Sequence, residues 1–208
     1  MTKIQYIYRI THIENIPHIL QYGITSHNSP NKNPNYKNIG DKSLIDVRES
    51  MKVDVGGREV DLKDYTPFYF GTKMPMLYIV QNGFNNVARV RPEDIVYIAC
   101  SIQDVTQQCS DYIFSDGHAR DAFTLFFESN RIGEVADIVD MNAVRSTYWG
   151  GEDNLDIKRK KQAEFLVKGD IPADCIKKFG CYNQDAKGKL VGMGVPDEMI
   201  QVTPNAYF

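Results

Sequence analysis

Six consecutive apolar residues, Ile95-Val96-Tyr97-Ile98-Ala99-Cys100, stand between turn-like flanks, and no other stretch limits the fold as strongly. The run is far short of the roughly 20 residues that a membrane helix takes, and it has the length and β-branched content of a fully buried strand. Other strands are legible around it. Ile4 to Ile10 places Ile4, Tyr6, Tyr8 and Ile10 on one side and Ile7 on the other. Tyr65 to Phe70 is an aromatic strand candidate, Tyr112-Ile113-Phe114 is a short one, and Gln162 to Val167 and Ile176 to Tyr182 follow. Gly56-Gly57 offers a hairpin turn.

Helical spacing appears at Ile16, Ile19 and Leu20 before a stop at Gly23, at Ala122 to Phe127, at Ile132 to Val139 and at Asp185 to Met199. Gly188, Gly192 and Gly194 weaken the last by about 1 kcal/mol each relative to Ala. Met74 to Val80 fits a short helix or a strand. Thr25 to Asp41 and Asn142 to Asp156 are polar and aperiodic and read as long surface loops. Short strands mixed with a few helices, without regular βαβ alternation, predict an α+β fold over a doubly wound parallel sheet. With 208 residues, 42% of them hydrophobic, and with Pro and Gly scattered, one domain over 1–208 is expected.

Composition excludes several functions. Twenty-four Lys and Arg against 27 Asp and Glu give a net charge of −3, so an anionic partner needs a local basic patch. No apolar run is long enough to span a membrane, and Met1 to Tyr8 alternates instead of resembling a secretory leader. Cys100, Cys109, Cys175 and Cys181 lack zinc-site spacing, so they read as reduced thiols of a cytoplasmic protein with no metal. Phosphate-loop, dinucleotide-fingerprint, zinc-protease and hydrolase-elbow motifs are missing.

Candidate residues are less regular. His12 sits where a strand hands over to a helix whose start, with Thr11 and Glu14 at capping-box spacing and Asn15 as a second cap, offers free N–H groups to a ligand. A lone histidine is more often structural. In Gln162-Ala163-Glu164-Phe165-Leu166-Val167, Glu164 enters an apolar run with Gln162 on its face; the alternative is an edge-strand glutamate paired with Lys160 or Lys161. Arg48 can pair with Glu49 or reach a ligand phosphate. Phe68, Tyr69 and Phe70 offer a stacking wall or core. Lys158-Arg159-Lys160-Lys161, with Tyr148 and Trp149 upstream, has the composition of a site that holds a phosphate backbone and stacks bases, or else is a solvated charge run.

Five segments in order resemble the DarT family of DNA ADP-ribosyltransferase toxins: Tyr8-Arg9-Ile10-Thr11-His12-Ile13-Glu14-Asn15-Ile16-Pro17 with Gly23; Asn38-Ile39-Gly40 before Arg48; Asp64-Tyr65-Thr66-Pro67-Phe68-Tyr69-Phe70 with Pro75-Met76-Leu77; Phe114-Ser115-Asp116-Gly117-His118-Ala119; and Gln162-Ala163-Glu164. The resemblance implies an ADP-ribosyltransferase fold, a split, mostly antiparallel sheet whose central cleft holds NAD as co-substrate. It implies transfer of ADP-ribose to a base, typically thymine, in single-stranded DNA, with nicotinamide released, and a macrodomain antitoxin as partner. A guanine, RNA or protein acceptor, or a binding module without turnover, remain the alternatives. Carried over by residue, His12, Asn15, Gly23 and Tyr69 would shape the NAD pocket, Arg48 would serve NAD or the base, and Glu164 would be the catalytic glutamate. His118 would lie near the base, and the segment from His118 to Gln162 would grip DNA through Tyr148, Trp149, Lys158 and Arg159. Met74 replaces a serine associated with the pattern. A monomer is expected, since no coiled-coil heptads appear. The glycosidic cleavage needs a carboxylate beside an oxocarbenium-like sugar, and the acceptor nitrogen must lose a proton.

Overall fold

The computed structural model describes residues 4–208, so Met1–Lys3 of the alternating amino-terminal stretch lie outside the described residues. In chain order the elements are β1 (Tyr6–His12), α1 (Ile16–Tyr22), α2 (Lys42–Glu49), β2 (Lys52–Val55), β3 (Arg58–Asp61), β4 (Tyr65–Tyr69), α3 (Pro75–Asn82), β5 (Ile95–Ser101) and α4 (Ile102–Gln108). They continue with β6 (Tyr112–Ser115), β7 (Phe126–Glu128), α5 (Val135–Ile138), α6 (Met141–Arg145), α7 (Leu155–Lys160), β8 (Glu164–Lys168), β9 (Ile176–Cys181), α8 (Gln184–Gly192) and β10 (Ile200–Val202).

Eight strands form one sheet in the order β10-β9-β5-β1-β4-β8-β6-β7, antiparallel at every pairing but that of β9 with β10. β2 and β3 make a separate hairpin turned at Gly56-Gly57, both with positive φ. The apolar run is β5, paired along all seven residues of β1. Val96, Ile98 and Cys100 join Ile7, Phe68, Phe114 and Phe165 in the main core, while Ile95 and Tyr97 join Ile10, Met74 and Leu77 on the other face. A third cluster, with Val55, Leu62, Ile113 and Leu166, fills the space under the hairpin. Each large side chain removed from water there contributes about 1.5–3 kcal/mol.

The sheet is split in the middle. β1 and β4 pair in register at Tyr8 and Tyr69 alone. Past that pair the ladder stops, and Arg9 Nη1 donates to Pro67 O at 2.9 Å across the gap. This is the division that the resemblance implies.

Several sequence expectations give way to packing. Ala122 to Phe127 is not a helix: Phe126 and Phe127 pair onto the edge of β6, and Phe127 stacks on Phe114 at 5.3 Å between centroids. Of Ile132 to Val139 only α5 is α-helical, after a 3-10 stretch at Ser129–Glu134. The 142–156 segment is not a plain loop, since α6 and the start of α7 occupy its ends. The last helix stops at Gly192, and the chain turns at Gly194, φ 96°, to add β10. The capping box is also absent: the His12 ring accepts from Glu14 N at 3.2 Å, and Asn15 caps nothing with its side chain. Gln162 falls outside β8 and donates to Lys158 O, so it does not share the face of Glu164. Met74 to Val80 resolves as helix, with Pro75 in the first turn of α3.

Candidate active site at the split of the sheet

Glu164 opens β8 directly opposite Tyr69, which itself stands opposite Tyr8. Partners in an antiparallel register face the same side, so Tyr8, Tyr69 and Glu164 form a row beside the split. Glu164 is 2% exposed and lies on an interior strand, not an edge. A buried carboxylate needs partners. Its Oε2 accepts from Arg48 Nη1 at 2.9 Å and its Oε1 from Ala119 N at 3.1 Å. Its backbone N donates to Ser115 Oγ at 3.1 Å, and that hydroxyl donates to Gly117 O at 2.7 Å. The alternative pairing with Lys160 or Lys161 is ruled out: Lys160 pairs with Asp156 at 2.7 Å, and Lys161 donates to Val144 O and Ser146 O.

Arg48 comes from the far side of the split, on α2. Asp41 caps that helix by accepting from Ser43 N at 2.9 Å, and Arg48 emerges in its last turn. It pairs with Glu164, 116 residues away, rather than with Glu49. Its Nε and Nη2 are buried without any partner. Orphaned buried donors cost about 1–3 kcal/mol each, a cost that acceptor oxygens brought by a ligand would relieve.

A cavity of about 810 Å³ occupies the split, walled by Arg9 and Thr11 of β1, Thr66 and Pro67 of β4, Arg48 and Asn15. That volume suits a large ligand. Glu164, bonded to Arg48, is not itself on the wall, and neither are Tyr69 and His118. Asn15 donates to Thr11 Oγ1 and Lys37 O and accepts from Lys37 N, each at 2.9 Å, which ties the long 25–41 loop over the cavity. Asp170 holds the loop's start through Ser26 N and Ser29 Oγ.

The other expected NAD contacts divide. His12 shares the face of Glu164, four residues beyond Tyr8 or about 13 Å along the strand, and is not on the cavity wall. With Nδ1 accepting, its Nε2 carries the proton; burial pulls this imidazole below the usual histidine range. Burial, then the Glu164 charge, push the Tyr69 phenol well above its usual range. Gly23, expected to shape the NAD pocket, does not line the cavity: it is buried at φ 75°, and a Cβ there would meet Ile171 O at 2.1 Å. Its need is for backbone shape at the end of α1, and Ile24 to Asn28 beyond it line the cavity instead.

Of the residues expected to contact DNA, His118 lies within reach of the Glu164 and Arg48 charges. Burial pulls its imidazole down, the Glu164 carboxylate pulls it up and Arg48 pulls it down again, so it belongs to the same site. Arg159, expected to grip DNA, is instead 9% exposed and spent on Asp116 and Asp156 at 3.0 and 3.1 Å, which leaves it unavailable to a phosphate. It also packs on Gly117, where a Cβ would meet its Nη1 at 2.5 Å, and its carbonyl accepts from His118 N. Arg159 therefore shapes the turn around Glu164. Lys158 and Tyr148 are exposed, and Trp149 packs edge-on against Tyr78 and Phe208. Sequence reasoning missed Ala119 N, Arg9 and Lys161; only a turn after a buried strand hinted at the first.

A family model described as "ssDNA thymidine ADP-ribosyltransferase, DarT" matches residues 8–208. A DNA ADP-ribosyl transferase of Thermus sp. (strain 2.9) is 34% identical over 86% of this chain and 81% of its own length. A DNA ADP-ribosyl transferase-DNA ADP-ribosyl glycohydrolase fusion protein of Thermosipho africanus is 30% identical over 77% of this chain and 38% of its own. Two structures of Thermus sp. 2.9 DarT superpose, one in complex with ADP-ribosylated ssDNA (TM-score 0.84, 27% identity, 98% of this chain and 96% of that one). The other, in complex with NAD+, gives a TM-score of 0.81 at 26% identity, covering 100% and 99% of the two chains.

Proposed function

The chain belongs to the DarT family of ssDNA thymidine ADP-ribosyltransferases, and from that premise we propose which of its residues carry the transfer. The reaction moves ADP-ribose from NAD+ to thymidine in single-stranded DNA. The bond from ribose to nicotinamide breaks with its electron pair on the nicotinamide nitrogen, the thymine nitrogen bonds to the sugar, and that nitrogen's proton leaves. The residues fit NAD+ as co-substrate, since the cavity ends at a guanidinium with two orphaned donors.

Glu164 is the carboxylate that orients the ribose and offsets the positive charge developing on it. Its fixed geometry, one oxygen on Arg48 and one on Ala119 N, is the observation that carries this reading. Arg48 works at the reacting end, because it is held on Glu164; its free Nε and Nη2 meet substrate oxygens there. Asn15 shapes the pocket with the 25–41 loop, Tyr69 lies along the nicotinamide end, and His12 donates from Nε2 at the far end of the split. His118, neutral at pH 7, accepts the thymine proton or a hydrogen bond from the base. Tyr148 and Lys158 contact the strand.

A partner that removes ADP-ribose serves as antitoxin, a reading supported by the fused glycohydrolase of the Thermosipho relative. A cytoplasmic setting suits four buried free thiols. Transfer to a thymidine-containing single strand tests the assignment. Glu164→Gln should lower kcat on the order of 10²–10³-fold or more. Arg48→Lys should lower kcat more than it raises KM for NAD+. Near-normal turnover in either variant would reject its assigned role.

A further inference from the structure

A second cavity, of about 290 Å³, opens on the opposite side of the row from the split, walled by Tyr6, Tyr8, Gly71, Thr72, Met141 and Arg145. Tyr8 belongs to both descriptions, for it stands next to Tyr69 and so two strands from Glu164. Two interstrand spacings of about 4.8 Å put the pocket's near wall roughly 10 Å from the catalytic carboxylate. Arg145 is exposed and Tyr6 and Tyr8 are half-buried, and among the described residues no side-chain hydrogen bond or ion pair is formed by the Arg145 guanidinium or the two hydroxyls, which leaves them open to a ligand from solvent. Three unpartnered groups that donate hydrogen bonds, one of them a fixed positive charge, converge on one concavity.

The backbone that presents Arg145 is itself fastened. Lys161, 3% exposed, donates from Nζ to Val144 O at 2.8 Å and to Ser146 O at 2.9 Å, the carbonyls on either side of Arg145. Val144 presses on Gly71, where a Cβ would meet Val144 Cγ1 at 2.5 Å. A buried ammonium is costly, and burial brings this one down to about 8. Burial also raises the Tyr8 phenol, Tyr6 adds to that and the Arg145 charge opposes it, in keeping with the three side chains lining one cavity.

We propose that this pocket, made by Arg145, Tyr6 and Tyr8 and braced by Lys161, binds a backbone phosphodiester of the single-stranded DNA next to the thymidine being modified. The inference rests on the reading of Glu164 as the reacting centre and adds a subsite to it. A chain of net charge −3 has no general attraction for DNA, so phosphate contacts come from local cations, of which Arg145 in this pocket is one.

The test is equilibrium binding of a short oligothymidylate across a range of salt concentrations, without NAD+, so that it stands apart from turnover. Arg145→Ala should weaken binding about tenfold and reduce the salt slope by about 0.7, the share of one phosphate on a single strand. Arg145→Lys should keep the slope. The Tyr6→Phe, Tyr8→Phe pair should weaken binding severalfold with the slope intact. The two Arg145 variants should bind NAD+ as the wild type does. An unchanged slope in Arg145→Ala overturns the proposal, as does a loss confined to NAD+ affinity, which would give the pocket to the dinucleotide. Failure of the wild type to modify any oligonucleotide would instead sink the reading of Glu164.

Discussion

His118 is the residue whose charge state is set most directly by its neighbours. Its imidazole is held below the usual histidine value of about 6.5, chiefly by burial. The unfolded chain therefore takes up this proton first as pH falls. Both the neutral imidazole and its share of stability are present above about pH 6.5 and are lost on acidification below it. Transfer by the wild type should fall from pH 7 toward pH 5 in a kcat/KM profile, and His118→Gln should flatten that limb while lowering the plateau. A profile identical in the two proteins would remove His118 from the proton path. Arg48 and Glu164 illustrate what the sequence could not say: each was visible as a candidate, but their mutual contact across 116 residues depends on the fold alone.

At the level of elements, the turn from Ser115 to Ala119 is the device that fixes the site. It is held from outside by Arg159 with Asp116 and Thr124, and it grips Glu164 from inside through Ser115 Oγ and Ala119 N. Removing Arg159 leaves Asp116 without its buried partner, a loss of about 3–5 kcal/mol by analogy with other broken buried pairs. Arg159→Ala should lower the denaturation midpoint and depress transfer, and Gly117→Ala should do likewise through its clash with Arg159. If either variant keeps full stability and turnover, the turn is not what orients Glu164. The strands that position the site were legible because burial imposes period two or a continuous apolar run. β1, β4, β5, β6, β8 and β9 all appear near their expected places. The 116–163 segment was not legible, because its order comes from distant contacts. The Phe126-Phe127 pair adopts β structure only when the edge of β6 is there to receive it. Likewise the 158–161 basic run looks solvated until Asp116, Asp140, Asp156 and two carbonyls surround it.

For the whole molecule, the decisive feature is a sheet that stops pairing in its middle. A ladder broken after Tyr8 and Tyr69 leaves a cavity where a closed sheet would leave none, and two covered faces keep the broken ladder from collapsing. Access to the thymine nitrogen is hidden by base pairing, so the protein should modify a thymidine-containing single strand and leave the same strand untouched once its complement is annealed. Equal labelling of both would contradict an unpaired acceptor. A crystal structure of the chain with an unreactive NAD+ analogue decides whether the split is the NAD+ site. The dinucleotide should lie in the split between β1 and β4, with its nicotinamide ribose within about 3.5 Å of the Glu164 carboxylate and Arg48 turned onto it. A dinucleotide seated elsewhere, with Glu164 still closed behind Arg48, would contradict that placement.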